Sequence, residues 1–291
     1  MSQGAFLSDE GLRAILLADL DAQGLGKAEW PRRAIEGDDP QSGRTGFHPA
    51  FTALVCELAS DRRPESAQAF VAALLTALPL GADTADLVRR WFVHSWDASA
   101  VAIAEGLGEE ARHLAQPVVD LIEKSRHEPV PGKAWRTLRG SLARNAQTDV
   151  RSADYLQIPL AMAWDLDQIP NAVSDAVAAW SSAIMKETNR ETGWTGEVSL
   201  EANALSHGFY EKAAAEVQGI EDREVLIRSL NTLVEKYKSE SPRALELAAK
   251  YEVCWAKVEE RRQAWLDSAR SDLVALASEG IAHLQNTGES S

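Results

Sequence analysis

Apolar side chains recur three and four positions apart along almost the whole chain. No stretch alternates apolar with polar residues as a half-buried strand does. That periodicity confines the fold to helices packed on helices, because a sheet needs the two-residue repeat. The expected architecture is all-α: an irregular helical bundle or a degenerate helical-repeat array, with a C-terminal long-helix hairpin or bundle. No repeat of fixed period is visible, which ranks the irregular bundle first.

Start and stop signals place the individual helices. The first covers 7–22, with Ser8 as its N-cap. Segments 48–60 and 64–78 read as a helical pair, Pro64 suiting a first turn whose N–H groups are unpaired anyway. Asp83-Thr84-Ala85-Asp86 opens a helix to about 106, and 109–126 follows with Pro117 inside. Segment 23–47 is a long, polar, Gly/Pro-rich loop, of a length that is usually functional or disordered. The run His127-Glu128-Pro129-Val130-Pro131-Gly132-Lys133 is the clearest breaker in mid-chain. It marks a boundary between an N-terminal helical array, 1–130, and a C-terminal helical region, 131–291, although one continuous domain is also compatible.

Beyond that boundary, 134–147 lines Trp135, Leu138, Leu142 and Ala146 on one face. Segment 152–167 contains Pro159 and bends or splits in two. An Ala-rich helix spans 171–188, and 189–199 is a loop around Gly193-Trp194-Thr195-Gly196. Helices at 200–218 and 222–238 precede Ser241, a cap, and Pro242, which opens a long helix to about 285. Its seam is expected to run through Ala248, Tyr251, Trp255, Val258, Arg262, Trp265, Ala269, Leu273 and Leu276. That register buries Trp255 and Trp265 against the 200–238 helices.

Charge narrows the partners. Lys and Arg number 30 against 44 Asp and Glu, a formal charge of −14. Such a field repels phosphate backbones and anionic lipid, so nucleic acid and membrane are disfavoured. Arg greatly outnumbers Lys, as in a GC-rich bacterial genome. Two distant cysteines, Cys56 and Cys254, form neither a disulfide framework nor a zinc cluster, and they fit a reducing cytoplasm. The N-terminal residues lack the pattern of a signal peptide, and the most apolar stretch, 70–82, is too short to span a bilayer.

Few constellations carry chemistry. Trp91, His94, Trp96 and Asp97 share one helix, and His94 and Asp97 lie three apart, on one face. They form either an acid–base pair beside aromatic walls or a core aromatic cluster with an interhelical histidine. Glu110-x-x-His113 is a single copy of a motif that di-iron bundles use twice, and Asp165 and Asp167 fit a helix end. No metal site, cofactor or nucleophile is specified. A local reversal of charge at Lys133, Arg136, Arg139, Arg144 and Arg151 faces only Asp149. At 100° per residue Lys133 and Arg144 fall opposite the apolar face, Arg136 on its flank and Arg139 at its border. These groups either pair with the protein's own acidic surface or dock an acidic partner or phosphorylated ligand. The leading expectation is a cytoplasmic binding or regulatory protein acting on a protein partner or small ligand through Trp91, Trp96, Arg136, Arg139 and Arg144. The alternative is an all-α enzyme or receptor with a pocket near His94 and Asp97.

Overall fold

The computed structural model describes residues 4–23, 45–60, 63–102, 109–145 and 150–288. It is 84% helical, with 11 helices and no strand among the described residues. In chain order they are α1 (Glu10–Gln23), α2 (Pro49–Ala59), α3 (Pro64–Ala77), α4 (Thr84–Ala102), α5 (Glu109–His127) and α6 (Gly132–Asn145). Then come α7 (Val150–Met162), α8 (Ala172–Thr192), α9 (Gly196–Glu216), α10 (Arg223–Glu240) and α11 (Pro242–Gly288). The all-α reading holds. Most of segment 23–47, the end of the 83–106 helix at 103–106, and residues 146–149 lie outside the described residues.

Side-chain caps set several starts. Asp83 Oδ1 accepts from the N–H groups of Ala85 and Asp86, Asp222 Oδ1 from Glu224 and Val225, and Ser241 Oγ from Ala244. At the first helix the cap is Asp9 rather than Ser8: Asp9 Oδ1 accepts from Gly11 at 2.8 Å. Ser8 belongs instead to a turn, Ala5–Ser8, with left-handed backbone at Phe6 (φ 54°), Leu7 (49°) and Ser8 (61°). L-residues resist that conformation. Full burial of Phe6 and backbone bonds from Ala5 to Ala82 and from Gly81 to Ala5 hold it in place.

The chain divides into two compact units. The larger takes the described residues up to Ala183 and those from Ala264 onward; the smaller is Ile184–Gln263. The division falls inside α8 and α11, not at the 127–133 breaker. Pro129, Pro131 and Gly132 do stop a helix there, but α5 and α6 pack on each other across the turn. Trp135 and Leu142 of α6 then enter the same core as Val118 and Ile122 of α5.

In the larger unit Trp91 and Phe92 of α4, Trp180 of α8 and Trp265 of α11 form an aromatic cluster. Trp91 meets Trp180 edge-on at 5.6 Å, and Trp180 stacks on Trp265 at 6.0 Å. Arg270, buried in the same unit, donates to Leu58 O at 2.8 Å and Ser66 Oγ at 3.0 Å.

The smaller unit has a modest core of Ala213, Val234 and Tyr237, flanked by Phe209, Leu230 and Leu233. Ion pairs reinforce it. Glu191 accepts from Lys257 Nζ at 2.8 Å and from both terminal nitrogens of Arg261 at 2.9 and 2.8 Å. Those cations hold its carboxyl down to about 2. Arg243 donates to both oxygens of Glu201 at 2.7 and 2.6 Å, a planar fork on a carboxylate. The expected loop at 189–199 is shorter than its Gly content suggests. Helix α8 runs on to Thr192, and α9 begins at Gly196 with Thr195 as cap, leaving a turn at Gly193 (φ 68°).

The α11 seam departs from its expected register. Leu247, Cys254 and Val258 are buried, whereas Trp255 is 38% exposed and stacks on Tyr251. Leu247 and Cys254 each sit one position before the residues expected there, Ala248 and Trp255. Trp265 packs on Trp180 in the larger unit instead of on the 200–238 helices.

Candidate functional site

Helix α6 is amphipathic. Trp135 and Leu142 are buried, while Lys133, Arg136 and Arg144 on the other side are exposed. Arg139, at the border, lays its guanidinium 3.2 Å from the centre of the Trp164 ring. Its Nε is buried without a hydrogen-bond partner, and burial pushes its pKa below the ordinary arginine value. Elsewhere arginines meet acids: Arg126 with Asp86 and Glu123, Arg89 with Asp167, Arg261 with Glu191. Among the described residues Lys133, Arg136, Arg139 and Arg144 form no ion pair. Among the described residues, then, no acidic side chain pairs with them. From Lys133 to Arg144 the face extends roughly 16 Å along the helix. The side chains of Asp149 and Arg151 lie outside the description.

The second candidate cluster separates. Trp91 is fully buried and donates its indole N–H to Ala269 O at 3.0 Å, and Trp96 is buried as well. Both are core residues of α4. His94 is half exposed, with Nε2 3.5 Å from Asp272 Oδ1 of α11. The side chain of Asp97 lies outside the described residues. A period-based reading pairs His94 with an acid on its own helix; its observed partner is remote in sequence.

A further polar cluster went unrecognised in the sequence. His48, the N-cap of α2, accepts from Ala50 N–H at Nδ1 (3.2 Å) and sets Nε2 3.3 Å from Asp167 Oδ1. Arg89 donates to the same carboxylate at 2.8 Å, and the His48 N–H donates to Thr84 Oγ1 at 2.8 Å. With Nδ1 an acceptor, Nε2 carries the proton and donates it to Asp167. Burial pushes the ring pKa down, ahead of the opposing pull of Asp167. Both ring nitrogens are engaged, so the cluster ties α2 to the segment before α8 and leaves no nitrogen free for proton transfer. The local signal was a His directly before Pro49 at a helix start; the Asp167 partner had none.

The smaller unit holds a half-open groove of about 350 Å³. Ser199, Ala202, Ser206 and Phe209 line it from α9, Ala244, Leu247, Ala248 and Tyr251 from α11. Asn203 and Leu205 of α9, Trp194 and Lys238 complete it, and the Trp194 and Tyr251 rings lie 5.2 Å apart. Among the described residues no group of three or more His, Cys, Asp or Glu side chains is placed to hold a metal ion. No described helix is long and apolar enough to cross a membrane. Comparison with protein-family models, curated proteins and solved structures returned no match.

Proposed function

We propose that this is a binding protein that works through helix surfaces, with the outward face of α6 as the docking surface for an acidic segment of a protein partner. The observation that carries the reading is the set of cations, Lys133, Arg136, Arg139 and Arg144, that form no ion pair among the described residues of a chain whose formal charge is −14. Cations without an ion-pair partner among the described residues are available to an external carboxylate. Arg suits that role because its planar fork takes a carboxylate through two hydrogen bonds. The stack on Trp164 fixes one guanidinium in advance and so lowers the entropy lost on binding. The net charge argues against a nucleic-acid backbone as partner. Two cysteines that no disulfide joins and an arginine-rich composition support a reducing bacterial cytoplasm as its setting.

The test is a titration with a glutamate-rich helical peptide, followed by fluorescence anisotropy at low and physiological salt. Arg136→Glu with Arg144→Glu should weaken binding at least tenfold. A reversal of equal charge in α10, Arg223→Glu with Arg228→Glu, should weaken it far less, and salt should weaken it throughout. Equal losses in the two double variants, or no binding at low salt, would refute the reading.

A further inference from the structure

The groove in the Ile184–Gln263 unit has a chemical polarity along its length. Eight residues of α11, from Ala244 to Tyr251, span roughly 10 Å of its wall. At the Tyr251 end stand two aromatic rings, Tyr251 and Trp194, partly exposed and tilted by 60° to each other. At the other end lies Lys238, which precedes the turn into α11 and is, among the described residues, the one charged residue lining the groove. The α11 N-terminus beside it adds the positive end of a helix dipole. Between the two ends the walls carry small side chains, Ala202, Ala244, Ala248, Ser199 and Ser206, which leave room for a flat body. The volume lies within the range of small-molecule sites. Lys238 meets Glu235 at 3.1 Å, but that pair is exposed on both sides, and exposed pairs of this kind contribute little. An incoming anion can therefore recruit the ammonium at small cost.

We propose that this groove is a binding site for a small amphipathic anion, its flat apolar body against Trp194 and Tyr251 and its carboxylate at Lys238. The proposal is independent of the α6 docking face, which belongs to the other unit.

Biphenyl-4-carboxylate and its neutral amide serve as probes, titrated into the full chain by calorimetry and by nitrogen–proton NMR. The carboxylate should bind at least tenfold more tightly than the amide. Lys238→Met should erase that preference and leave amide binding within about twofold. Ala248→Trp, at an exposed position, fills the groove and should weaken both probes more than tenfold; Tyr251→Ala does the same by removing a wall, should the first variant fail a circular-dichroism check of its fold. A carboxylate preference that is absent, or that survives Lys238→Met, overturns the anionic assignment. Binding of neither probe at millimolar concentration, or undiminished binding in both wall variants, overturns the site itself.

Discussion

Replacing Trp91 by alanine should destabilise the protein by about 4 kcal/mol. The side chain is completely buried in the aromatic cluster of the larger unit. A tryptophan removes roughly 150–250 Å² from water. At about 25 cal/mol per Å² that corresponds to about 4–6 kcal/mol, of which alanine retains a part. Measured Trp→Ala losses in cores of about 3–5 kcal/mol agree. The lost hydrogen bond to Ala269 O adds at most about 1 kcal/mol, because a helix carbonyl keeps its own backbone donor four residues on. Trp91→Phe retains much of the ring packing and should cost about 1–2 kcal/mol. The matched comparison is Trp255→Ala, whose ring is 38% exposed and which should cost about 1–2 kcal/mol. Urea titrations monitored by far-ultraviolet circular dichroism, at fixed pH and protein concentration, give both values, with the slope checked for constancy. Equal losses for Trp91→Ala and Trp255→Ala, or a Trp91→Ala loss below about 1 kcal/mol, would refute the division into a core ring and a surface ring.

Other consequences are open to measurement. The His48 pKa is lower in the folded protein than its ordinary 6.5, so the unfolded chain binds the extra proton more readily. Stability should fall as pH drops below about 6.5 and level off below the folded value. His48→Asn keeps a capping side chain and should flatten that slope between pH 7 and 5, whereas an unchanged slope would assign it to other groups. The Glu191 carboxyl, held near 2 against an ordinary 4.5, contributes stability above about pH 4.5 that is lost as pH falls toward 2. Because the group is more than a third exposed, Glu191→Gln should cost no more than about 1 kcal/mol at pH 7 and clearly less at pH 2, where the carboxyl is half protonated. Thermal melts of both proteins across that range check it, and a cost undiminished at pH 2 would contradict the ion-pair account. No disulfide joins Cys56 and Cys254, so a thiol reductant should leave the melting temperature unchanged; a drop would reveal one.

The helices were legible because their signals are local. Asp83, Ser241 with Pro242, and the breaker at 127–133 act within one or two turns, and the structure uses each of them. The amphipathic face of α6 could be read for the same reason: a helical wheel needs only consecutive residues. Arrangements decided by packing at long range were not legible. Nothing within α8 or α11 signals a unit boundary, since neither helix changes composition at Ile184 or Ala264. The α11 seam was misjudged where large aromatic residues outweighed Leu247 and Cys254, although Trp255 is amphipathic enough to remain at the surface. His94 and His48 take Asp272 and Asp167 as partners, pairings that only the tertiary fold creates. The groove draws residues from α9, α10 and α11, and no single segment of them carries a recognisable motif.

The passage of α11 through both compact units means that one unbroken helix carries two different opening free energies. Residues 242–263 are anchored in a unit whose clustered core is small, and residues 264–277 in one whose core draws on all of α1 to α8. Amide hydrogen exchange should therefore step along a single backbone, fast on the N-terminal side of Ala264 and slow beyond it. Melting that starts at Pro242 would run inward along the helix and stall near Ala264, where Trp265, Leu266 and Ala269 begin. The helix then works as a graded fuse: its N-terminal half, with the groove it walls, can loosen and re-form while its C-terminal half stays locked.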